Sequence, residues 1–385
     1  MQVSIPHQGN TIYDVIVIGS GATGLGCALS LKRFGINNFI VIADQENNLD
    51  LSSHAKFISA LPIENSTRLT QRNGHDAWKS YLEISKRGLD EILKFSNKNG
   101  IAAIKGPIHR LSTSRHECDE IYKSNQIWQS LGIPSKLENK FLYNSSNRTV
   151  QVHDDCLLRS NVHHIMETAK LEIFEHLHCH EVVQIETSKE FATVRTKDNK
   201  SFKSEIIVLA NGLGISKLMP EMGDKLIPYQ DQWNKFKFNT SPFEIGDWFL
   251  IFAQYSLFTL FNDSNESLWI CGGRFKRKFE GIGSSTPSLC SRSLQACHSF
   301  AQKFLKLEKL EHLCSIALND INTCDELPII GPMYGQERIL LATGYAGAGI
   351  AVGFGAGSCL ADLIASGKCL QLDQSLQPSR FQLPD

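Results

Sequence analysis

A chain of 385 residues with 42% hydrophobic and 9% aromatic side chains has the apolar surface for a substantial core, which excludes intrinsic disorder. Charged residues make up 21% and nearly cancel to a formal net charge of -1, so no global field draws the chain to polyanions and nucleic-acid binding is not expected. The 11 cysteines are scattered without a CxxC pair, and MQVSIPHQGN at the start lacks the basic end and apolar run of a secretion signal, so a reducing, cytoplasmic setting is expected.

Residues 13–18, YDVIVI, form a compact apolar run suited to a parallel strand buried on both faces. The glycines after it open a helix expected from about Ala22 to Phe34, and NFIVI (38–42) supplies the second strand of a beta-alpha-beta unit. Trp78, Leu82, Leu89, Ile92, Leu93 and Phe95 return to one side of a helix over 77–95, a stripe that reads as core packing. Asp154 or Asp155 is expected to cap a further helix running into LLRSNVHHIMETAK, and EVVQI, FATVRT and EIIVLA follow as short strands.

Between 222 and 320 the segments IPYQDQW, WFLIFAQYSLFTLF and SLWICGG predict aromatic-rich antiparallel strands, with a helical stretch around 290–311. From Cys324 onward, CDELPIIGP and RILLATGYAGAGIAVGFGAGSCLADLIASG repeat the opening strand, glycine-rich turn and helix without a second dinucleotide fingerprint. No run approaches the roughly 20 apolar residues that span a bilayer, since IIVLA (206–210) is too short and the 340s are too rich in glycine.

Gly19-Ser20-Gly21-Ala22-Thr23-Gly24 fits GxGxxG immediately after a strand and at a helix start. The first glycine permits the tight turn, the second lets a pyrophosphate approach the backbone, and the third lets helix approach sheet. Backbone N–H groups and the helix dipole then stabilise phosphate charge. Asp44, 20 residues beyond Gly24, is placed to accept hydrogen bonds from an adenosine ribose. A purely structural glycine turn is the competing reading.

No metal site is expected: His163 and His164 are adjacent on a helix and diverge, and His178 and His180 lack an obvious third ligand. Neither GxSxG nor a cysteine-nucleophile arrangement supports hydrolase chemistry. The basic run Arg274, Lys276, Arg277 and Lys278 reads as a solvated turn or as a ligand patch.

The opening turn, ANGLG (210–214), and DELPIIGP (325–332) followed by ATGYAGAGI (342–350) together resemble the D-amino-acid oxidase-like family of FAD-dependent oxidoreductases, which includes glycine and sarcosine oxidases and amine dehydrogenases. The resemblance implies an α/β fold, with a Rossmann-like FAD-binding domain and an interleaved antiparallel-sheet substrate domain. The FAD-binding region is expected at 12–75, 150–221 and 324–370, and the substrate or cap region at 76–149 and 222–323.

It also implies that Gly347, Gly349 and Ile350 lie beside the flavin ring, that Val182 contacts the adenine side, and that Ala210 and Gly212 border the ribityl and phosphate groups. Ser52, Ser53, His54, Ala55 and Lys56 occupy the family's small-residue segment next to the flavin; His54 is then a covalent attachment point, an ordinary cofactor contact or a structural histidine.

Two departures bear on substrate. Where many relatives carry Arg-Pro before the DGLP-like motif, with the arginine clamping a substrate carboxylate, this chain has Asp320 and Ile321. The PxRGQ segment is altered to Pro228-Tyr229-Gln230-Asp231-Gln232. Arg274 is the candidate replacement clamp, Asp320 a candidate for attracting a cation, and Tyr345 the polar candidate at the flavin turn.

The expected function is oxidation of a primary or secondary amine, amino-acid-derived or otherwise, by hydride transfer to flavin N5. The alternatives are a flavin-dependent hydroxy-acid dehydrogenase and a non-catalytic, partner-dependent flavoprotein. A separate electron acceptor or protein partner fits any of the three.

Overall fold

The computed structural model describes residues 11–44, 57–62, 66–111, 115–141, 147–239, 248–253, 256–264, 266–273, 281–284, 286–345 and 347–382. The chain begins with β1 (Ile12–Ile18), α1 (Ala22–Arg33) and β2 (Phe39–Ala43). There follow β3 (Phe57–Ser59), α2 (Ser66–Lys98), β4 (Ala103–Leu111), α3 (Arg115–Ser130), β5 (Lys136–Phe141) and β6 (Asn147–Ser160). The middle holds α4 (Val162–Glu172), β7 (Leu177–Cys179), β8 (Val182–Thr187), β9 (Ala192–Thr196), β10 (Ser201–Leu209) and the short α5 (Ile215–Leu218). Last come β11 (Leu226–Lys237), β12 (Trp248–Ala253), β13 (Ser256–Ser264), β14 (Ser267–Gly272), α6 (Ser291–Lys303), β15 (Glu311–Thr323), β16 (Ile329–Met333), β17 (Gln336–Thr343) and α7 (Gly349–Ser366).

The described strands form two sheets. In the first, β17, β10, β1, β2 and β7 run parallel in that spatial order, and β16 pairs antiparallel with β17. The uninterrupted apolar run of β1 fits because both faces are covered. Val15 and Val17 point with Phe39 and Val41 toward α1, α2 and α7, while Ile16 and Ile18 point with Ile40 and Ile42 toward the other core. Strand β10 is shared: Ser201–Ser204 pair with β9, which forms an antiparallel meander with β8, and Ile207–Leu209 pair with β17.

The second sheet has the order β15-β11-β14-β13-β12-β4-β6-β3, with β5 on β6; its pairs are antiparallel except for β12 with β4. Side chains alternate across it. Phe236, Phe258, Leu260 and Ile270 face Cys297 and Phe300 of α6, whereas Trp233, Leu257, Phe261 and Trp269 pack toward the core shared with α2 and α7.

Two differences from expectation have physical causes. Asp154 and Asp155 are exposed residues within β6, and Asp155 takes φ 58; the helix starts instead after Asn161, whose side chain accepts from the His164 N–H. The stretch expected to be helical over 290–311 ends at Lys303, and β15 begins at Glu311. Strands β3 and β6 both belong to the second sheet, and the first sheet resumes after Asn161. In addition, the glycine-rich 340s continue into an 18-residue helix that meets the length and apolarity of a membrane span, yet it is mostly buried in the core.

Those glycines are needed for contact. A methyl group at Gly355 of α7 would lie 2.0 Å from the Ile84 carbonyl oxygen of α2, and one at Gly88 of α2 would lie 1.9 Å from that of Ala351. On the α1 side, Gly26 and Gly357 leave similarly little space, with 2.4 Å to the Phe354 oxygen and 2.1 Å to the Thr23 oxygen. Helix α7 is therefore held backbone to backbone between α1 and α2, and Arg87 of α2 bridges to Asp362 of α7 (Nη2–Oδ1 3.1 Å). Gly355→Ala is expected to destabilise the protein by about 3 kcal/mol, the upper end of overpacking costs, because the obstruction is backbone. Chemical denaturation of this variant beside Gly349→Ala, where a methyl meets nothing within 4 Å, tests the claim.

The C-terminal segment fastens the DELP turn. Arg380 donates from Nε to Asp325 Oδ2 (2.7 Å), from Nη2 to Asp325 Oδ1 (3.0 Å), and to the carbonyls of Leu327 and Pro328. Burial alone would raise the Asp325 carboxyl, but the bonded guanidinium outweighs it and holds the group below its ordinary value. The unfolded chain thus binds this proton more readily. The resulting stabilisation is complete above the unfolded value, about 4, and is lost as pH falls through the folded one. Arg380→Gln is expected to cost about 1.5–3 kcal/mol at neutral pH. Its deficit against wild type should shrink below about pH 4, which unfolding curves across that range measure.

Candidate functional site

The site begins where β1 turns into α1. Gly19 has φ 111, and a side chain there would lie 2.5 Å from the Ala210 carbonyl oxygen; a methyl at Gly24 would lie 1.8 Å from the Gly19 oxygen. At Gly21, by contrast, a methyl would meet nothing within 4 Å, so the middle glycine faces open space. Gly21 caps α1 without a side-chain hydrogen bond, and the first turn, which includes Ala22 and Thr23, carries no acidic residue. That combination suits a pyrophosphate, since helix-start N–H groups are presented to an anion with no carboxylate competing. Asp44 directly follows β2 and is half-buried, at the level of the turn because the Gly19 N–H donates to Ile42. Val182 opens β8, just after His180 donates from its backbone to Ala43.

A second turn leaves β10 alongside the first: the Ala210 N–H donates to the Ile18 carbonyl (2.8 Å), and Gly212 has φ 58. Asn211 Oδ1 and, at the end of β17, Thr343 Oγ1 are buried without a hydrogen-bond partner in the protein. Buried polar atoms of this kind need partners, which a polar cofactor passing between the turns would provide.

The third turn runs from Gly344 (φ 76) through Gly347 (φ 88) to α7, whose cap Ala348 makes no side-chain bond and whose first turn has no acidic residue. Gly349 faces open space, and Ile350 packs on the core. Tyr345 connects this turn to the first, its hydroxyl 2.6 Å from Thr23 Oγ1, and Tyr81 of α2 donates to the Tyr345 carbonyl (3.0 Å). Burial, reinforced for Tyr345 by nearby Asp320 against the opposing Thr23 bond, raises both phenols above their ordinary value, so both stay protonated near neutral pH. Tyr345 therefore acts as a tie between turns. It is not available as a base.

Facing these turns is the inner face of the second sheet. Tyr229 and Asp320 are directly paired across β11 and β15, and the Tyr229 hydroxyl donates to Asp320 Oδ2 (3.0 Å). Asp231 and Trp233 continue the same face along β11, and Phe57 lies against Trp233 and Phe261. The end of β15 touches both flavin-side turns. Ile321 lies 3.6 Å from where a methyl on Gly212 would be, and Thr323 fills the space where a side chain on Gly344 would go.

Ser52, Ser53, His54, Ala55, Lys56 and Arg274 lie outside the described residues. Among the described residues no group of three or more His, Cys, Asp or Glu is placed to hold a metal ion. The sequence reading passed over Tyr81, Tyr229 and Trp233. Tyr81 sits on the same α2 face as Trp78, and its hydroxyl at a buried position is the signal in the sequence for a polar task.

Two helix-start turns with room for a dinucleotide between them, and a polar, aromatic wall opposite, are the arrangement of a flavin-dependent oxidoreductase. The family model described as FAD dependent oxidoreductase, DAO, matches residues 14–363, and the chain belongs to that family. FAD is its cofactor. YhfW of Bacillus subtilis (strain 168), provisionally named a Rieske 2Fe-2S iron-sulfur protein, is 23% identical over 98% of this chain and 73% of its own length. Glycine oxidase from Geobacillus kaustophilus superposes with TM-score 0.75 at 17% identity, covering 97% of this chain and 100% of that one. L-proline dehydrogenase from P. horikoshii gives 0.75 at 18% identity, covering 96% and 98%.

Tyr345→Phe removes the bond to Thr23 and is expected to weaken FAD binding by about 3- to 10-fold, the worth of one hydrogen bond. Titrating apoprotein with FAD and following flavin fluorescence measures the change.

Proposed function

We propose that the protein oxidises a small amine at a flavin lodged between the three glycine turns and the inner face of the second sheet. The observation that carries this reading is the meeting of the Tyr345 turn with the wall formed by Tyr229, Trp233 and Asp320, a half-buried, mixed polar and aromatic site suited to a small donor. Membership of the DAO family and the fold shared with glycine oxidase and L-proline dehydrogenase support it. When bound, FAD supplies the two-electron acceptor, with N5 taking the hydride from the donor C–H.

The chain's own residues position and shield. Tyr81 and Thr23 fix the Tyr345 turn, and the open start of α7 directs N–H groups toward negative charge as it develops. Phe57, Trp233 and Phe261 exclude water from the donor carbon. Both phenols are held protonated, so neither takes a proton from the amine, whose nitrogen gives up its proton to solvent before the C–H reacts.

Anaerobic mixing of FAD-loaded protein with amines and with hydroxy acids of matched size tests this. Flavin bleaching by amines is expected, at a rate that rises with pH until the free amine has lost its proton. Bleaching by hydroxy acids alone would replace this reading with a hydroxy-acid dehydrogenase. The likeness to YhfW favours an iron-sulfur protein over oxygen as the oxidant, in which case reduced flavin persists in air and reoxidises on adding a 2Fe-2S acceptor.

A further inference from the structure

The end of α7 and the tail that follows it bring two of the 11 cysteines together, on the side of the molecule away from the second sheet. Cys359 is fully buried on α7. Cys369 is half-buried two residues past the left-handed Gly367 cap (φ 71), where the tail turns onto α2 and the Asp373 N–H donates to Ser80 Oγ (3.0 Å). One guanidinium gathers both thiols. Arg87 Nη1 donates to the Cys359 sulfur (3.8 Å) and to Gln371 Oε1 (3.2 Å), the same oxygen that accepts from the Cys369 thiol (3.6 Å).

The two thiols also hydrogen-bond one another. That bond holds the Cys369 thiol below its ordinary value, against burial and with help from the Gln371 N–H; the same bond, with burial, raises Cys359. The accessible thiol therefore ionises first, beside a buried thiol that keeps its proton. A surface pocket lined by Arg87, Asp362, Ser366, Lys368, Leu370 and Gln371 adjoins Cys369, so a small solute reaches it. By contrast Cys27 and Cys156 are buried, and burial pushes both up to about 12, which leaves them inert.

We propose that Cys359 and Cys369 form a redox-modified pair, which hydrogen peroxide converts to a disulfide joining α7 to the tail that carries Arg380. The Cys369 thiolate attacks one peroxide oxygen, the O–O bond breaks, hydroxide leaves, and Cys369 becomes a sulfenic acid. The Cys359 sulfur then attacks that sulfur; an S–S bond forms and the sulfenic oxygen departs as water with the Cys359 proton. In sum the two thiols lose two electrons and one peroxide becomes two waters. This chemistry is independent of which donor the flavin site oxidises.

The test exposes FAD-loaded protein to hydrogen peroxide at neutral pH, unfolds it in the presence of N-ethylmaleimide to cap the remaining thiols, and digests it with trypsin without reduction. Cleavage after Arg338, Lys368 and Arg380 puts the two cysteines in separate peptides, 339–368 and 369–380, neither of which holds another cysteine. Mass spectrometry is expected to find these peptides linked, two hydrogens lighter than their sum, and released by dithiothreitol. Cys359→Ser should leave Cys369 as a sulfenic acid that dimedone traps, and Cys369→Ser should slow loss of the Cys359 thiol at least about tenfold. FAD content and thermal unfolding show that each variant has folded. Absence of the linked peptide, Cys369 ending as a sulfinic acid while Cys359 stays a thiol, or as much linkage in protein unfolded before the peroxide is added would overturn the assignment.

Discussion

Helix α7 has no freedom to move on its own. Its glycines bring its backbone within contact of α1 on one side and α2 on the other, at distances that not even a methyl group tolerates. Helix α1 starts at the first glycine turn and α7 at the third, so this packing fixes the separation of the two turns. Tyr345 and Thr23 then join the turns themselves. The wall opposite is seated on the second and third turns, where Ile321 meets Gly212 and Thr323 meets Gly344. Close packing of this kind transmits displacement, which is why a change in the middle of α7 bears on a site several turns away.

The parts of the fold that follow from local chemistry were legible in the sequence. YDVIVI announces a buried strand because it is apolar at every position, and GxGxxG announces its turn because each glycine answers a separate steric demand. Asp154 and Asp155 misled because a carboxylate before an apolar run signals a helix cap only if the run is helical, and LLRS lies in a strand paired with β4. The glycine-rich 340s announce their strand, turn and helix, but not that the helix is long and apolar enough to match a membrane span. Glycine lowers helix propensity, yet here contact with two neighbouring helices overrides propensity, and nothing local reveals those neighbours.

The candidate site was legible where it is made of backbone and illegible where it is made of side chains from distant strands. Asp320 and the altered segment around Tyr229 look like two unrelated losses of a family pattern when met 91 positions apart. In the sheet they are cross-strand partners joined by a hydrogen bond. The two departures from the family pattern therefore meet at one place in the sheet. Arg380, which steadies Asp325, gave no signal at all, because its partner is set by how the tail returns to the DELP turn.

The tie between Thr23 and Tyr345 spans 322 positions, and β1 finds its parallel neighbour β10 only after most of the chain has been made. The phosphate-binding loop is therefore made more than 300 residues before the helix that completes the cofactor's cradle. An emerging chain can offer FAD only half a grip. Full cofactor capture thus waits until both distant halves of the cradle exist, and the vitamin-derived ligand locks together segments that sequence keeps far apart.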